Sequence, residues 1–158
     1  MTLVKSISGI RGIVGKSLNS KVVGDYIQAF SNILPLGAIL LARDTRKSGC
    51  DFISLSQNIL KNLNRPVFIS DIIPTPTAQF MISNNEFVGG IVFTASHNPS
   101  EWNGLKFINS EGIFIDQNEL NRLEEEKYKI KDKSIQFNTD KNLSFINNAS
   151  ESINKHIQ

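Results

Sequence analysis

The stretch GGIVFTASHNPSEWNGLKFI, residues 89–108, decides how the rest of the chain is read. Gly89 to Phe93 is apolar enough for a buried strand, yet it breaks into a polar loop holding His97, one of two histidines, and Trp102, the only tryptophan. Asn98-Pro99 fixes a turn and Asn103-Gly104 permits a sharp return, after which Leu105 to Ile108 resumes as a half-buried strand beside the first. A strand that ends in a chemically rich loop and comes straight back is the layout of a site carried at the edge of a sheet.

Outward from that loop, apolar runs alternate with helical patterns. Leu3 to Ile7 is a short extended start, followed by a glycine-punctuated loop. Val22, Val23, Tyr26, Ile27, Phe30, Ile33 and Leu34 recur at helical spacing, with Asn19 or Ser20 as N-cap and Pro35 and Gly37 beyond the end. AILLA (38–42) reads as a buried strand, and Phe52, Leu55, Ile59, Leu60 and Leu63 mark a second helix. PVFIS is the next strand, and Thr75 as N-cap with Pro76 at the first helical position opens a short third helix. After LKFI comes a turn at Gly112. Asp116 with Glu119 then forms a capping-box start for a helix to about Lys129.

Strand and helix in strict alternation predict a three-layer α/β/α sandwich with a mixed, mainly parallel sheet. Ligands of such sheets gather at the carboxyl ends of the strands. That rule selects SGIRGIVG, RDTRKSG, DIIPTPT and TASHNPSEWNG. The segment from Ile130 onward changes character, rich in Lys, Asp, Asn and Ser, with a helical pattern around Ala149, Ile153 and Ile157. The expected division is therefore a domain over 1–130 and a C-terminal segment, 131–158, leading toward a second domain.

The 158 residues are 40% hydrophobic and 20% charged with a net charge of +2, an ordinary globular balance that argues for neither nucleic acid nor an anionic membrane as partner. The single Cys50 rules out an internal disulfide and reads as a small packed or surface residue rather than a nucleophile. With no membrane-length apolar run and no signal-peptide core, the expectation is a soluble, cytoplasmic protein.

Two motifs suggest familiar chemistry and fail on inspection. SGIRGIVGKS imitates a P-loop, but counting back from Lys16 places Ile10 where the first glycine belongs. Ser96 and His97 suggest a hydrolase pair, but adjacent residues in extended chain project oppositely and no third group orients the imidazole. Turn geometry accounts for Gly9, Gly12 and Gly15; it does not account for Arg11, which is placed between them to bind an oxyanion bidentately. Arg43, Arg46 and Lys47 crowd RDTRKSG, where a solvated turn with a surface ion pair is the plain alternative. Ser48 is available there as the next helix's N-cap. Together with Lys106, one edge offers a hydroxyl, an imidazole, an amide and several cations. This set suits a phosphorylated serine, whose charge of roughly −1.5 to −2 requires cationic neighbours.

TASHNPSEWNGLKF closely resembles the active-site serine loop of the α-D-phosphohexomutases, the superfamily of phosphoglucomutase, phosphomannomutase and phosphoglucosamine mutase. SISGIRGIVG, ARDTRKSG and PTPT resemble its other first-domain motifs in the right order, with Ala42 standing where glycine is usual. The resemblance covers residues 3–129. It implies reversible transfer of phosphate between the 1- and 6-hydroxyls of a hexose phosphate, through a phosphoserine at Ser96 and a bisphosphosugar. It further implies Lys106 as general acid/base with His97 in support, Arg11 at the transferring phosphoryl group, and Asn98 holding the loop or the phosphoserine. Arg43 and Arg46 would be phosphate-binding. A Mg²⁺ ion would meet this chain only at the phosphate of Ser96.

The resemblance places the metal-binding aspartate loop, sugar recognition and the nonreactive phosphate's site in three further domains. This chain alone is therefore expected to be inactive, with those missing domains as its partners beside the hexose phosphate and hexose bisphosphate. Which hexose is used would be decided outside it. A stand-alone phosphate-binding or regulatory module is the alternative.

Overall fold

The computed structural model describes residues 2–130. The proposed segment 131–158, with its helical pattern, lies outside the described residues. The described elements are β1 (Val4–Ser6), β2 (Gly9–Ile13), α1 (Ser20–Ile33), β3 (Ala38–Arg43), α2 (Ser48–Asn62), β4 (Val67–Ile72), α3 (Thr75–Ser83), β5 (Phe87–Phe93), β6 (Trp102–Asn109) and α4 (Gln117–Ile130). They build one mixed sheet of order β1-β2-β6-β5-β3-β4. Strands β5, β3 and β4 form a parallel core, and β6, β2 and β1 extend it by antiparallel pairing.

Strand alternation assigns the two faces. Ile10, Ile39, Leu41, Ile69, Ile91, Phe93, Leu105 and Phe107 point to one side, where α1, α2 and α4 close a core around Tyr26, Phe30, Phe52, Ile59 and Leu123. Phe107 is wedged there, its ring centroid 4.9 Å from that of Phe30 and 6.1 Å from that of Tyr26. Leu40, Ala42, Val92 and Ile108 point to the other side, where α3 supplies Ala78, Met81 and Ile82. That is the expected three-layer sandwich.

Local chemistry sets the boundaries. Asn19 caps α1, its side chain accepting from Val22 N at 3.0 Å. The Asp116–Glu119 box is reciprocal: Glu119 N donates to Asp116 Oδ1 at 2.8 Å, and Asp116 N to Glu119 Oε2 at 2.9 Å. Thr75 is not the cap expected of it; α3 starts one residue sooner, with Pro74 at the N-cap position. Ser48 also is no cap, because its hydroxyl accepts from Asn103 Nδ2 at 2.8 Å and Lys47 occupies the cap position without a side-chain bond.

The larger departure lies near the amino terminus. The expected glycine loop is mostly strand: Gly9–Ile13 turns back on β1 and pairs with β6, with Arg11 opposite Gly104. Glycine lowers strand propensity, which disguised a strand whose pairing is settled by neighbours far away in sequence.

Helix α4 is tied down by a polar cluster. Tyr26 donates its hydroxyl to Glu124, Lys5 of β1 bonds the same carboxylate at 2.7 Å, and Lys127 lies 4.5 Å from the centroid of the Tyr26 ring. Burial, then the bond to Glu124, pushes the Tyr26 phenol well above its usual range. Burial alone would raise Glu124; the bonds from Lys5 and Tyr26 and the charges of Lys5 and Lys127 outweigh it, leaving the carboxyl below the usual range.

Candidate functional site

Strands β3 and β5 run parallel, so the loops that follow them emerge side by side, and Asp44 N donates to Phe93 O at 3.0 Å where they part. Between them opens a cleft of about 810 Å³ lined by Asp44, Arg46, Ser48, Ser96, Asn98 and Glu101, among others. Because β6 reverses β5 and β2 reverses β6, the carboxyl end of β2 reaches this edge too; Val14 N donates to Glu101 O at 2.9 Å. Three of the four expected loops therefore meet. DIIPTPT leads into α3 instead and contributes no residue to the cleft lining.

Ser96 is exposed, and its backbone is left-handed, with φ 55°. A non-glycine residue there carries strain of about 1–3 kcal/mol and persists only where its surroundings hold it. Ser96 N donates to Thr94 Oγ1 at 3.0 Å, and Asn98 N to Ala95 O at 3.1 Å. His97 is exposed, with no hydrogen-bond partner among the described residues. Sequence adjacency does not pair it with the serine hydroxyl.

Arg11 reaches the loop from β2, Nη1 donating to Asn98 Oδ1 at 3.3 Å. Its route crosses Gly104. A Cβ on that glycine would stand 2.7 Å from Arg11 Cγ and 2.6 Å from Ile10 O. Gly104 therefore serves as room for the arginine stem, not as the turn expected of it. Arg11 Nε is buried without a partner among the described residues. An orphaned donor on an arginine that reaches the serine loop is a candidate ligand for an oxyanion.

Lys106 returns one residue in from the carboxyl end of β5, which finishes at Phe93. It pairs with Val92 inside the sheet and shares the face of Arg11, opposite Ile10 and Leu105. Its ammonium stands 5.2 Å from the centroid of the Phe114 ring. Burial first, then the charge of Arg11, holds it below the usual lysine range. A lysine so placed gives up its proton more readily than one in water.

The two arginines of RDTRKSG are engaged elsewhere. Arg43 Nε bonds Asp71 Oδ1 at 2.6 Å and Nη1 bonds Asp44 O at 3.2 Å, while its stem packs beneath Gly49 of α2, on the sheet face away from Lys106. Arg46 donates to four carbonyls of the serine loop, from Nη1 to Pro99 at 2.7 Å and Trp102 at 2.9 Å, and from Nη2 to Ser96 at 3.0 Å and Asn98 at 2.7 Å. Nε completes the set at Asp44 Oδ2, 3.1 Å away. Every N–H of a guanidinium is then used, so the expected phosphate role of Arg46 gives way to a grip on the loop. Asn103, read from the sequence as part of a turn, is fully buried within β6, and its amide ties that strand to Ser48.

Among the described residues, no three His, Cys, Asp or Glu side chains gather as an ion site. None of their helices is long and apolar enough to cross a membrane. Cys50 is exposed and free.

Ser96 is thus exposed and strained at the carboxyl edge of an α/β/α sandwich, with Arg11 reaching its loop. A family model described as phosphoglucomutase/phosphomannomutase, alpha/beta/alpha domain I, matches residues 3–134. The chain belongs to this family, as its first domain. It is 32% identical over 118 residues to a phosphoglucosamine/phosphogalactosamine mutase of Sulfurisphaera tokodaii, covering 74% of this chain and 26% of that protein. It is 34% identical over 131 residues to a phosphoglucosamine mutase of Prochlorococcus marinus, covering 78% and 28%. The fold matches that of a phosphoglucomutase/phosphomannomutase family protein from Burkholderia thailandensis with a TM-score of 0.73, at 24% identity, over 96% of this chain and 36% of that one. The chain thus spans about a quarter of the length of the relatives it matches.

Proposed function

We propose that this domain carries the phosphoserine of a hexose phosphate mutase that moves phosphate between the 1- and 6-hydroxyls of its substrate. The observation that carries the reading is Ser96, exposed and left-handed, with Arg11 anchored to its loop through Asn98 and the Nε of that arginine left without a partner among the described residues. In the forward transfer the bond from Ser96 Oγ to phosphorus breaks as a sugar hydroxyl oxygen bonds the phosphorus. The hydroxyl proton passes to a base, and Ser96 Oγ ends protonated. Such a reaction is governed by positioning and charge neutralisation. Arg11 supplies charge at the phosphoryl oxygens. Lys106, its proton loosened by burial and by Arg11, serves as acid/base on the same face. His97 supports it from the exposed loop.

Among the described residues Mg²⁺ would meet one ligand, a phosphoserine oxygen of Ser96; its carboxylates would come from another domain. When bound, the ion would neutralise phosphoryl charge. Partners are then a hexose phosphate, its bisphosphate and the remaining domains, in the cytoplasm, and the chain by itself turns over no substrate. Intact mass and phosphopeptide mapping of the protein isolated from its native cells test the reading. Phosphate on Ser96 is expected; unmodified Ser96 throughout refutes the phosphoserine route. Robust Ser96-dependent interconversion by the isolated chain would refute its dependence on other domains.

A further inference from the structure

The grip of Arg46 on the serine loop extends past stabilising a turn. It holds the carbonyls of Ser96 itself, of Asn98, which carries Arg11, and of Pro99 and Trp102, where the chain re-enters β6. One planar group thus fixes the strained residue and both ends of the segment that aims it. Arg46 is in turn fixed from below: Asp44 Oδ2 takes its Nε, and Asp44 Oδ1 accepts from Arg46 N at 2.9 Å, closing a tight turn at the end of β3. The side chain is 13% exposed. Four carbonyls arranged around one guanidinium need its rigid fork; an ammonium on a flexible stem can satisfy only part of such a set.

We propose that Arg46 is a positioning residue for phosphoryl transfer: by holding the Ser96 and Asn98 carbonyls together it keeps the Ser96 backbone fixed relative to Asn98, the residue whose side chain Arg11 bonds. The inference rests on the phosphoserine reading above. It predicts that lysine, though it keeps the charge, does not replace arginine.

The test uses the 158-residue chain with phosphoserine encoded at position 96, alone and combined with Arg46→Lys, Arg46→Ala or Arg11→Ala. Amide hydrogen exchange reads the loop, with α1 as internal reference, and phosphorus NMR reads the titration of the phosphate. In the parent chain the second ionisation should fall below the usual value of about 6 if Arg11 favours the dianion. Arg46→Lys and Arg46→Ala should both speed exchange over residues 96–102 by about tenfold or more without touching α1. Both should also return the phosphate titration toward the free value. Arg11→Ala should return the titration while leaving the loop protected.

A titration that responds to Arg11→Ala and ignores Arg46→Lys overturns the positioning role, whatever the exchange shows. Exchange that accelerates equally in α1 overturns it as well, assigning Arg46 to the stability of the whole domain. A titration indifferent to Arg11→Ala refutes the phosphate site itself, and the exchange arm then still reports separately whether Arg46 holds the loop.

Discussion

Replacing Gly104 by alanine tests whether the backbones of β2 and the serine loop approach β6 too closely here for any side chain. The added Cβ would lie 2.6 Å from Ile10 O, 2.7 Å from Arg11 Cγ and 2.9 Å from Thr94 O. The arginine stem can swing away, but the two oxygens are backbone: Ile10 belongs to the β2–β6 ladder, and Thr94 is held in register by its own N–H to Gly104 O at 3.1 Å. Relief requires β2 and the start of the serine loop to move apart by several tenths of an ångström. Overpacking of this kind costs about 1–3 kcal/mol, and two fixed neighbours place Gly104→Ala at the upper end, about 3 kcal/mol. With a urea slope of about 1–3 kcal/mol per molar, the unfolding midpoint should fall by about 1 M or more at unchanged slope. Gly15→Ala is the control. Its φ of +76° disfavours a side chain, yet its Cβ would meet nothing within 4 Å, so only the conformational cost of about 1 kcal/mol applies. If Gly104→Ala loses no more stability than Gly15→Ala, the steric argument is refuted.

Further outcomes follow from other contacts. Arg11→Gln should raise the titration midpoint of Lys106, followed by NMR at its Cε, because one of the two influences that lower it is removed; an unmoved midpoint would separate the two residues electrostatically. Glu124 has a folded-state pKa below its unfolded value, so its stabilisation is present above the unfolded carboxylate range and is lost as pH falls through the folded value. The stability gap between the parent and Glu124→Gln, measured by urea unfolding, should accordingly be constant near neutrality and close on acidification; a gap that widens in acid would contradict the cluster. Phe107→Ala should cost about 3–5 kcal/mol, since the ring is buried against Phe30 and Tyr26, and a thermal midpoint within a degree or two of the parent would contradict that packing.

The layer order was legible because it rests on local signals: the helical spacing from Val22 to Leu34, the runs AILLA and GGIVF, and the Asp116–Glu119 box all act within a turn or two of chain. The serine loop was legible for the same reason, its chemistry being contiguous. What escaped depends on distant partners. Gly9–Ile13 is a strand because β6 pairs with it, and nothing in five residues with two glycines announces that. Arg46 and a phosphate-binding arginine look identical in sequence; only the loop carbonyls aimed at it tell them apart. Lys106 was placed near the edge by its distance from Gly104; what the sequence did not show is the register opposite Val92, which puts the lysine on the face shared with Arg11.

The sheet order also governs when the site can exist. Arg11 and Asn98 are 87 residues apart in the chain, and they meet only because β6 inserts between β2 and β5. A ribosome adding about 5–20 residues per second leaves the first hairpin waiting several seconds for the strand that completes it. During that interval β2 presents an unpaired edge, the feature that invites association with other chains. Whatever protects the nascent protein must act on Gly9–Ile13 long before Ser96 has been made.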